Sequence, residues 1–146
     1  MTPGDVMLLP DEPTVTAPDG SDVRVLLRLS GGSMAHFSLA VGRCSAAVRH
    51  RSVEELWYVL AGRAVMWRSR EGIASQVALA PGTCVSIPRG TSFQFCTVGE
   101  VPFAAVAVTM PPWPGHDEAF AVPGPWDAST PDTPSPTPAS TREHAR

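Results

Sequence analysis

The stretch Gly42–Gly62, GRCSAAVRHRSVEELWYVLAG, has a regular spacing of glycines and polar residues, and a similar spacing occurs further along the chain. Five residues separate Gly42 from Val48, and His50 stands two positions further on. Four residues then lead to Glu55, and six more lead to Gly62. Glycine adopts positive φ freely, so glycines at both ends of this stretch predict sharp reversals between short strands.

A second stretch, GTCVSIPRGTSFQFCT, runs from Gly82 to Thr97. Five residues separate Gly82 from Pro88, and Gly90 stands two positions later. Two residues then lead to Phe93, and three more lead to Thr97. Proline cannot donate to a strand ladder, so Pro88 predicts the end of a strand at this point.

Short apolar runs separated by Gly or Pro continue on both sides of these stretches, which is typical of an all-β sandwich or barrel. No stretch shows sustained helical periodicity with caps. The strands predicted from this pattern are Val23–Leu29, Ala35–Val41, Ser45–His50, Leu56–Leu60, Ala64–Arg68, Ser75–Leu79, Thr83–Ile87, Ser92–Val98 and Phe103–Met110.

The two stretches together resemble the paired motifs of the cupin superfamily, over roughly Gly42 to Thr97, and look like those of small bacterial cupins. The resemblance implies an all-β cupin double-stranded β-helix, a jelly-roll-like barrel. It also implies a metal site of three His and one Glu, at the positions of Val48, His50, Glu55 and Phe93.

Two of those four positions are apolar here, because Val48 and Phe93 stand where the family has histidines. A protein-bound transition metal generally needs three or four ligands. We therefore expect no metal cofactor. The alternative is one divalent metal ion held by His50 and Glu55 with a substitute ligand, either His36 or Cys96.

Side chains alternate across a strand, so residues that share parity with an inward position also face the interior. The motif positions then predict an apolar pocket around His50 and Glu55. We also expect His36, on the preceding strand, to line this pocket. The other expected lining residues are Val48, Trp57, Val59, Phe93, Phe95 and Thr97.

The composition predicts one domain of 146 residues with a proper core, since 43% of the chain is apolar and 17% is charged. A net charge of −3 and the absence of a basic stripe argue against nucleic acid or an anionic membrane as a partner. No leader-like or membrane-length apolar segment is found, which predicts a cytoplasmic protein. We expect an N-terminal arm at 1–22, the barrel at 23–126 and a disordered Pro/Ser/Thr-rich tail at 127–146.

Cys44, Cys84 and Cys96 are odd in number and show no C-x-x-C spacing. Their apolar neighbours favour the interpretation that they are buried small hydrophobes. Metal ligation and a catalytic thiol are the alternatives.

Two classes of function remain open from the sequence. The first is a metal-independent isomerase, epimerase or cyclase acting on an apolar metabolite, with His50 as acid or base, Glu55 orienting it, and a role in bacterial secondary metabolism. The second is a ligand sensor or carrier in which the same residues only bind. The aromatic residues Trp57, Phe93 and Phe95 either contact the ligand or fill the core. The resemblance also implies a homodimer.

Overall fold

The computed structural model describes residues 3–115 and 117–129. These residues form eleven strands, and no helix occurs among them, so the predicted all-β class is confirmed. The strands are β1 Val15–Thr16, β2 Asp22–Leu29, β3 Gly32–Leu39, β4 Val48–His50, β5 Glu54–Ala61, β6 Arg63–Arg70, β7 Ile73–Leu79, β8 Cys84–Ile87, β9 Ser92–Val98, β10 Phe103–Met110 and β11 Ala119–Ala121. No helix that could cross a membrane is present in either described range.

The strands form two antiparallel sheets. One sheet has six strands in the order β1-β2-β3-β10-β5-β8, and the other has five in the order β11-β4-β9-β6-β7. Apolar side chains from both sheets meet in one core, at whose centre Phe37, Trp57, Phe95 and Phe103 pack edge to face or tilted. The ring centres of Phe37 and Trp57 lie 4.6 Å apart. Such aromatic contacts join the two sheets into one barrel.

All nine strands predicted from the sequence are present, with ends that shift by up to three residues. The short strands β1 and β11 were not predicted, because two or three residues are too few to show alternation. Gly62 fulfils its predicted role in the β5–β6 turn, with φ at +73°. A Cβ atom there would overlap the carbonyl oxygen of Pro102, so the site requires glycine on both counts.

The cysteine interpretation was right about the burial of Cys44 and Cys96, but it missed their disulfide and was wrong about Cys84. Cys44 and Cys96 are buried and form a disulfide, whereas Cys84 is exposed with a free thiol. Cys44 lies just before β4 and is bridged to the middle of β9 at Cys96. The two cysteines are 52 positions apart in sequence, so no local spacing could reveal that they are neighbours in space.

Segments on both sides of the cupin strands contact the barrel. At the N-terminal end, Val15 and Thr16 pair with the start of β2. At the C-terminal end, the segment 122–129 crosses the outer face of the five-stranded sheet. There the fully buried side chain of Gln94 donates to the carbonyls of Ser45 and Trp126 and accepts from the Trp126 amide. Ser129 hydrogen-bonds to Cys44. The remainder of the predicted tail, 130–146, lies outside the described residues.

Candidate functional site

A cavity of about 590 Å³ opens between the two sheets, next to the β1–β2 turn. Its wall is largely apolar, and its polar side chains include Asp19, His50 and Glu55. Volume and lining are typical of a small-molecule site, in which apolar walls surround a few convergent polar groups. The apolar side chains that define the wall include Val23, Phe37, Val48, Trp57, Phe93 and Trp113.

His50 and Glu55 lie on either side of a short turn that joins the two sheets. His50 ends β4, where it pairs with Ala119, and Glu55 is the second residue of β5. Both side chains point inward because they share parity with their buried neighbours. Nδ1 of His50 lies 3.4 Å from Oε1 of Glu55, and both side chains are about nine-tenths buried.

Burial makes this couple neutral near pH 7. Removal from water raises the pKa of Glu55 to about 8, and the nearby Asp19 carboxyl acts in the same direction, while the Trp57 side chain opposes the shift. Burial also lowers the pKa of His50 to about 4, against a smaller opposing effect of Glu118. Burial therefore favours a carboxylic acid that faces a neutral imidazole over an ion pair.

Glu118 holds the turn between these two residues. Its carboxylate accepts hydrogen bonds from Ser52 N at 2.7 Å, Ser52 Oγ at 2.6 Å and Val53 N at 2.9 Å. Burial opposes the ionisation of Glu118, but these hydrogen bonds outweigh it and lower the pKa. Glu118 thus holds the β4–β5 connection as an anion. Sequence reasoning missed this role, because the partners of Glu118 lie 65 and 66 positions earlier.

Asp19 is the second carboxyl group of the cavity. Its Oδ1 accepts from Ser21 N at 3.0 Å and Ser21 Oγ at 2.7 Å, which closes the turn between β1 and β2. Burial raises the pKa of Asp19, and the Ser21 hydrogen bonds partly offset this effect. The Asp19-Gly20-Ser21 sequence is a recognisable turn signal, but it does not reveal that the turn faces the cavity.

Trp113 closes the cavity beside the imidazole. Its backbone N–H donates to Ser33 Oγ at 2.8 Å, and that hydroxyl lies 2.6 Å from Thr109 Oγ1. The ring centre of Trp113 lies 5.1 Å from that of His50, and Phe93 lies 5.3 Å away, both edge to face. These two rings hold the His50 imidazole in an apolar slot.

The structure places the predicted lining residues in three locations. Val48, Trp57 and Phe93 line the cavity together with His50 and Glu55. Val59, Phe95 and Thr97 differ from the prediction, since they are buried in the core beyond the cavity wall. Parity identifies the face of a strand on which a side chain lies, but not how far along the barrel it sits.

His36 also differs from the prediction, because it lies on the outer face of β3. Its neighbours Ala35 and Phe37 line the cavity, and alternation turns His36 the other way. Burial lowers the pKa of His36. The positive charge of Arg24, its cross-strand partner on β2, lowers that pKa further. His36 therefore cannot join His50 and Glu55.

The residues present do not fit the metal site that the motif resemblance implies. Val48 and Phe93 are 3% and 2% exposed and occupy the space of two ligands with hydrocarbon. Of the substitutes, His36 points outward and Cys96 is bonded to Cys44. Within 3–115 and 117–129, no group of three or more His, Cys, Asp or Glu side chains is arranged to hold a metal ion.

Comparison with known proteins agrees with the fold and the motifs. Residues 35–109 match the family model of the cupin domain. The chain belongs to the cupin family. The match begins in β3 and ends in β10, so the cupin core contains His50 and Glu55, whereas Asp19, Trp113 and Glu118 lie outside it.

Several proteins are similar to this cupin. An uncharacterized protein of Methanocaldococcus jannaschii is 28% identical over 104 residues, covering 68% of this chain and 80% of the relative. A Klebsiella pneumoniae protein with a double-stranded β-helix domain superposes with a TM-score of 0.58 at 19% identity, over 71% of this chain and 85% of the other. Oxalate decarboxylase from Bacillus subtilis gives 0.62 at 15% identity, over 77% of this chain and 30% of the other. These structural matches confirm the double-stranded β-helix, and family membership with the cavity supports a small-molecule-binding cupin.

Proposed function

We propose that this cupin binds an apolar small molecule in the barrel cavity and isomerises it by proton transfer, without a metal ion. The reaction class is that of an isomerase, epimerase or cyclase. The observation that carries the proposal is the buried contact between His50 and Glu55 in a largely apolar cavity. Buried ionisable groups in a cleft are candidates for acid–base chemistry.

The two groups are costly to keep in this environment. His50 Nδ1 and Glu55 Oε1 are buried, and neither has a hydrogen-bond partner among the residues that the structure describes. An unsatisfied buried polar group costs about 1–3 kcal/mol, and most proteins avoid it. A ligand that supplies the missing hydrogen bonds explains why polar groups persist where leucine or phenylalanine would stabilise the fold.

The surroundings of the couple suggest a role for each member. A carboxyl group with a pKa near 8 exchanges protons readily close to neutral pH, which suits a general acid or base. The proposal therefore makes Glu55 the proton carrier and His50 its neutral partner, the reverse of the roles expected from the sequence.

The reaction needs no net exchange of atoms or electrons. The carboxyl group of Glu55 gives its proton to one atom of the substrate, and the resulting carboxylate takes a proton from a neighbouring atom. The bond to hydrogen moves within the molecule, Glu55 returns to its starting state, and the product has the mass of the substrate.

The experiment begins with the compound that co-purifies with the protein, identified by native mass spectrometry. Incubation of that compound with the protein in D₂O should yield an isomer that carries solvent deuterium. Glu55→Gln should abolish the exchange while it retains binding. Glu54→Gln is the matched control, because Glu54 is adjacent and exposed. Binding without turnover by the unaltered protein would refute the enzyme and identify a carrier or sensor.

The expected homodimer is retained as part of the proposal. The outer face of the six-stranded sheet, here called the β5 face, carries Leu56, Tyr58 and Leu60, which are 48%, 50% and 45% exposed. The exposed side of an antiparallel sheet is ordinarily polar. The N-terminal arm offers a matching apolar surface, with Val6 and Leu8 almost fully exposed. A second copy whose arm covers the β5 face would bury both surfaces.

A further inference from the structure

A third buried polar atom lies beside the His50–Glu55 couple. The indole Nε1 of Trp57 is buried, and it makes no hydrogen bond of good geometry to any described residue, although the indole lies near enough to Glu55 to lower the pKa of that carboxyl group. Trp57 and Glu55 are two positions apart on β5, so their side chains leave the strand on the same face, and both line the cavity. The unpaired donor therefore stands next to the carboxyl group.

The chemistry of Trp57 restricts what its partner can be. An indole N–H only donates hydrogen bonds, so the missing partner must be an acceptor. An ammonium group has no free acceptor and would leave the N–H unpaired. The ligand therefore carries an acceptor atom at this end of the cavity.

The charges of the cavity restrict the acceptor further. Among the described lining residues, the charge-bearing side chains besides His50 are Asp19, Glu55 and Arg28, and Arg28 is exposed. A carboxylate or phosphate would be desolvated next to two carboxyl groups with no buried cation to pair with it. The acceptor is accordingly an uncharged atom.

We propose that the ligand is a neutral, mainly apolar carbonyl compound whose carbonyl oxygen accepts a hydrogen bond from the Trp57 indole beside Glu55. A carbonyl oxygen has two lone pairs, so it can accept from the indole and from the Glu55 carboxyl group together. The apolar body then lies against Phe37, Val48 and Phe93. This inference rests on the proposed function for the location of the ligand, and it names the chemical class of the substrate.

The test uses four probes of matched shape: 1-indanone, indane, 1-aminoindane and indane-1-carboxylate. Calorimetry at neutral pH should show that 1-indanone binds about tenfold more tightly than indane, the difference that one good hydrogen bond supplies. The amine and the carboxylate should bind no better than indane. The infrared carbonyl band of bound 1-indanone should move to lower frequency than that of the free ketone in an apolar solvent.

Trp57→Phe removes the donor and keeps an aromatic ring. It should reduce the preference for 1-indanone over indane to near unity and return the carbonyl band towards its free position. Trp67→Phe is the matched control, because Trp67 alternates with the buried Ala64 and Met66 of β6 and does not line the cavity. In the unaltered protein, the Trp57 indole proton signal should move downfield with 1-indanone and not with indane, which provides a readout that requires no variant to fold.

Several results would overturn the inference. Preference for 1-aminoindane would show that the carboxyl groups bind a cation, and equal affinity for 1-indanone and indane would show that the indole is not a recognition element. Failure of all four probes would likewise refute the carbonyl class. None of these results decides the proposed function, since that depends on whether Glu55→Gln abolishes deuterium exchange in the co-purified compound.

Discussion

Val48 and Phe93 are direct cross-strand partners of β4 and β9, and both line the cavity at positions where the cupin motifs have histidines. Side chains directly opposite each other in an antiparallel pair are close enough to interact. The two substitutions therefore replace neighbouring ligands with one continuous apolar surface. The cavity therefore differs from the metal site that the motif implies through this paired apolar surface, and not through a single altered residue.

Restoring both histidines should restore metal binding. In the Val48→His/Phe93→His double variant, three imidazoles and Glu55 would surround one point, which is a sufficient set for a divalent metal. We expect roughly one bound Zn²⁺ or Mn²⁺ per chain by elemental analysis after dialysis, against a small fraction in the unaltered protein. Phe93→His alone serves as the intermediate control. A stoichiometric metal in the unaltered protein would refute the metal-free reaction.

Stability should depend on pH through Glu55. Its pKa is raised from 4.5 to about 8 in the folded chain, so between these values the folded state binds more protons than the unfolded state. Stability therefore falls as pH rises through this window. The side chain in Glu55→Gln stays neutral at every pH. We expect the free energy of unfolding of this variant to exceed that of the unaltered protein by roughly 2–4 kcal/mol at about pH 9 and to equal it at about pH 4.5.

Urea denaturation at both pH values measures this effect. Glu54→Gln should show no comparable trend, because that side chain is exposed. Burial lowers the pKa of His50 from 6.5 to about 4. His50 therefore destabilises the folded state as pH drops through this lower window, which is separate from that of Glu55 at higher pH. A constant difference between Glu55→Gln and the unaltered protein across the range would mean that folding leaves the pKa of Glu55 unchanged.

The cysteines should separate into two classes. Alkylation of the denatured protein without reductant should label Cys84 alone, and alkylation after reduction should label Cys44 and Cys96 as well, as peptide mapping can show. The result also bears on the predicted cytoplasmic location, since stable disulfides are rare in the cytosol of mesophiles. Three labelled cysteines before reduction, in protein taken directly from its host, would indicate that the pair exists there as thiols.

The β5 face should control association. Leu56→Glu places a charge on that face, and we expect a shift from dimer to monomer in light scattering after gel filtration, because a charged group is costly to bury unpaired. Ile73→Glu is the control, since Ile73 is 77% exposed on the other sheet. If the unaltered protein is already a monomer at micromolar concentration, the dimer proposal fails.

Features set by nearby residues were predictable from the sequence. The glycine and proline intervals gave the strands, and parity from His50 and Glu55 placed Val48 and Trp57 in the cavity wall. These inferences depend on alternation within one strand, which extends over a few residues.

Features set by contacts between distant segments were not predictable. Glu118 reaches Ser52 across 66 positions, and Cys44 reaches Cys96 across 52. Asp19 faces the cavity because the β1–β2 turn folds back onto the chain before β4, where the Asp19 carbonyl accepts from Ala46 N. No single sequence window contains both partners of such a contact, so alternation cannot reveal it.

The Gln94 amide spans two layers of the protein, since it hydrogen-bonds to Ser45 within the barrel and to Trp126 in the segment that crosses it. The segment after the last strand therefore shields the Gln94 side chain, which would otherwise be exposed to solvent. Removing this segment would therefore expose the outer face of the five-stranded sheet around Gln94. We expect the shortened protein to aggregate while its ligand preference stays the same.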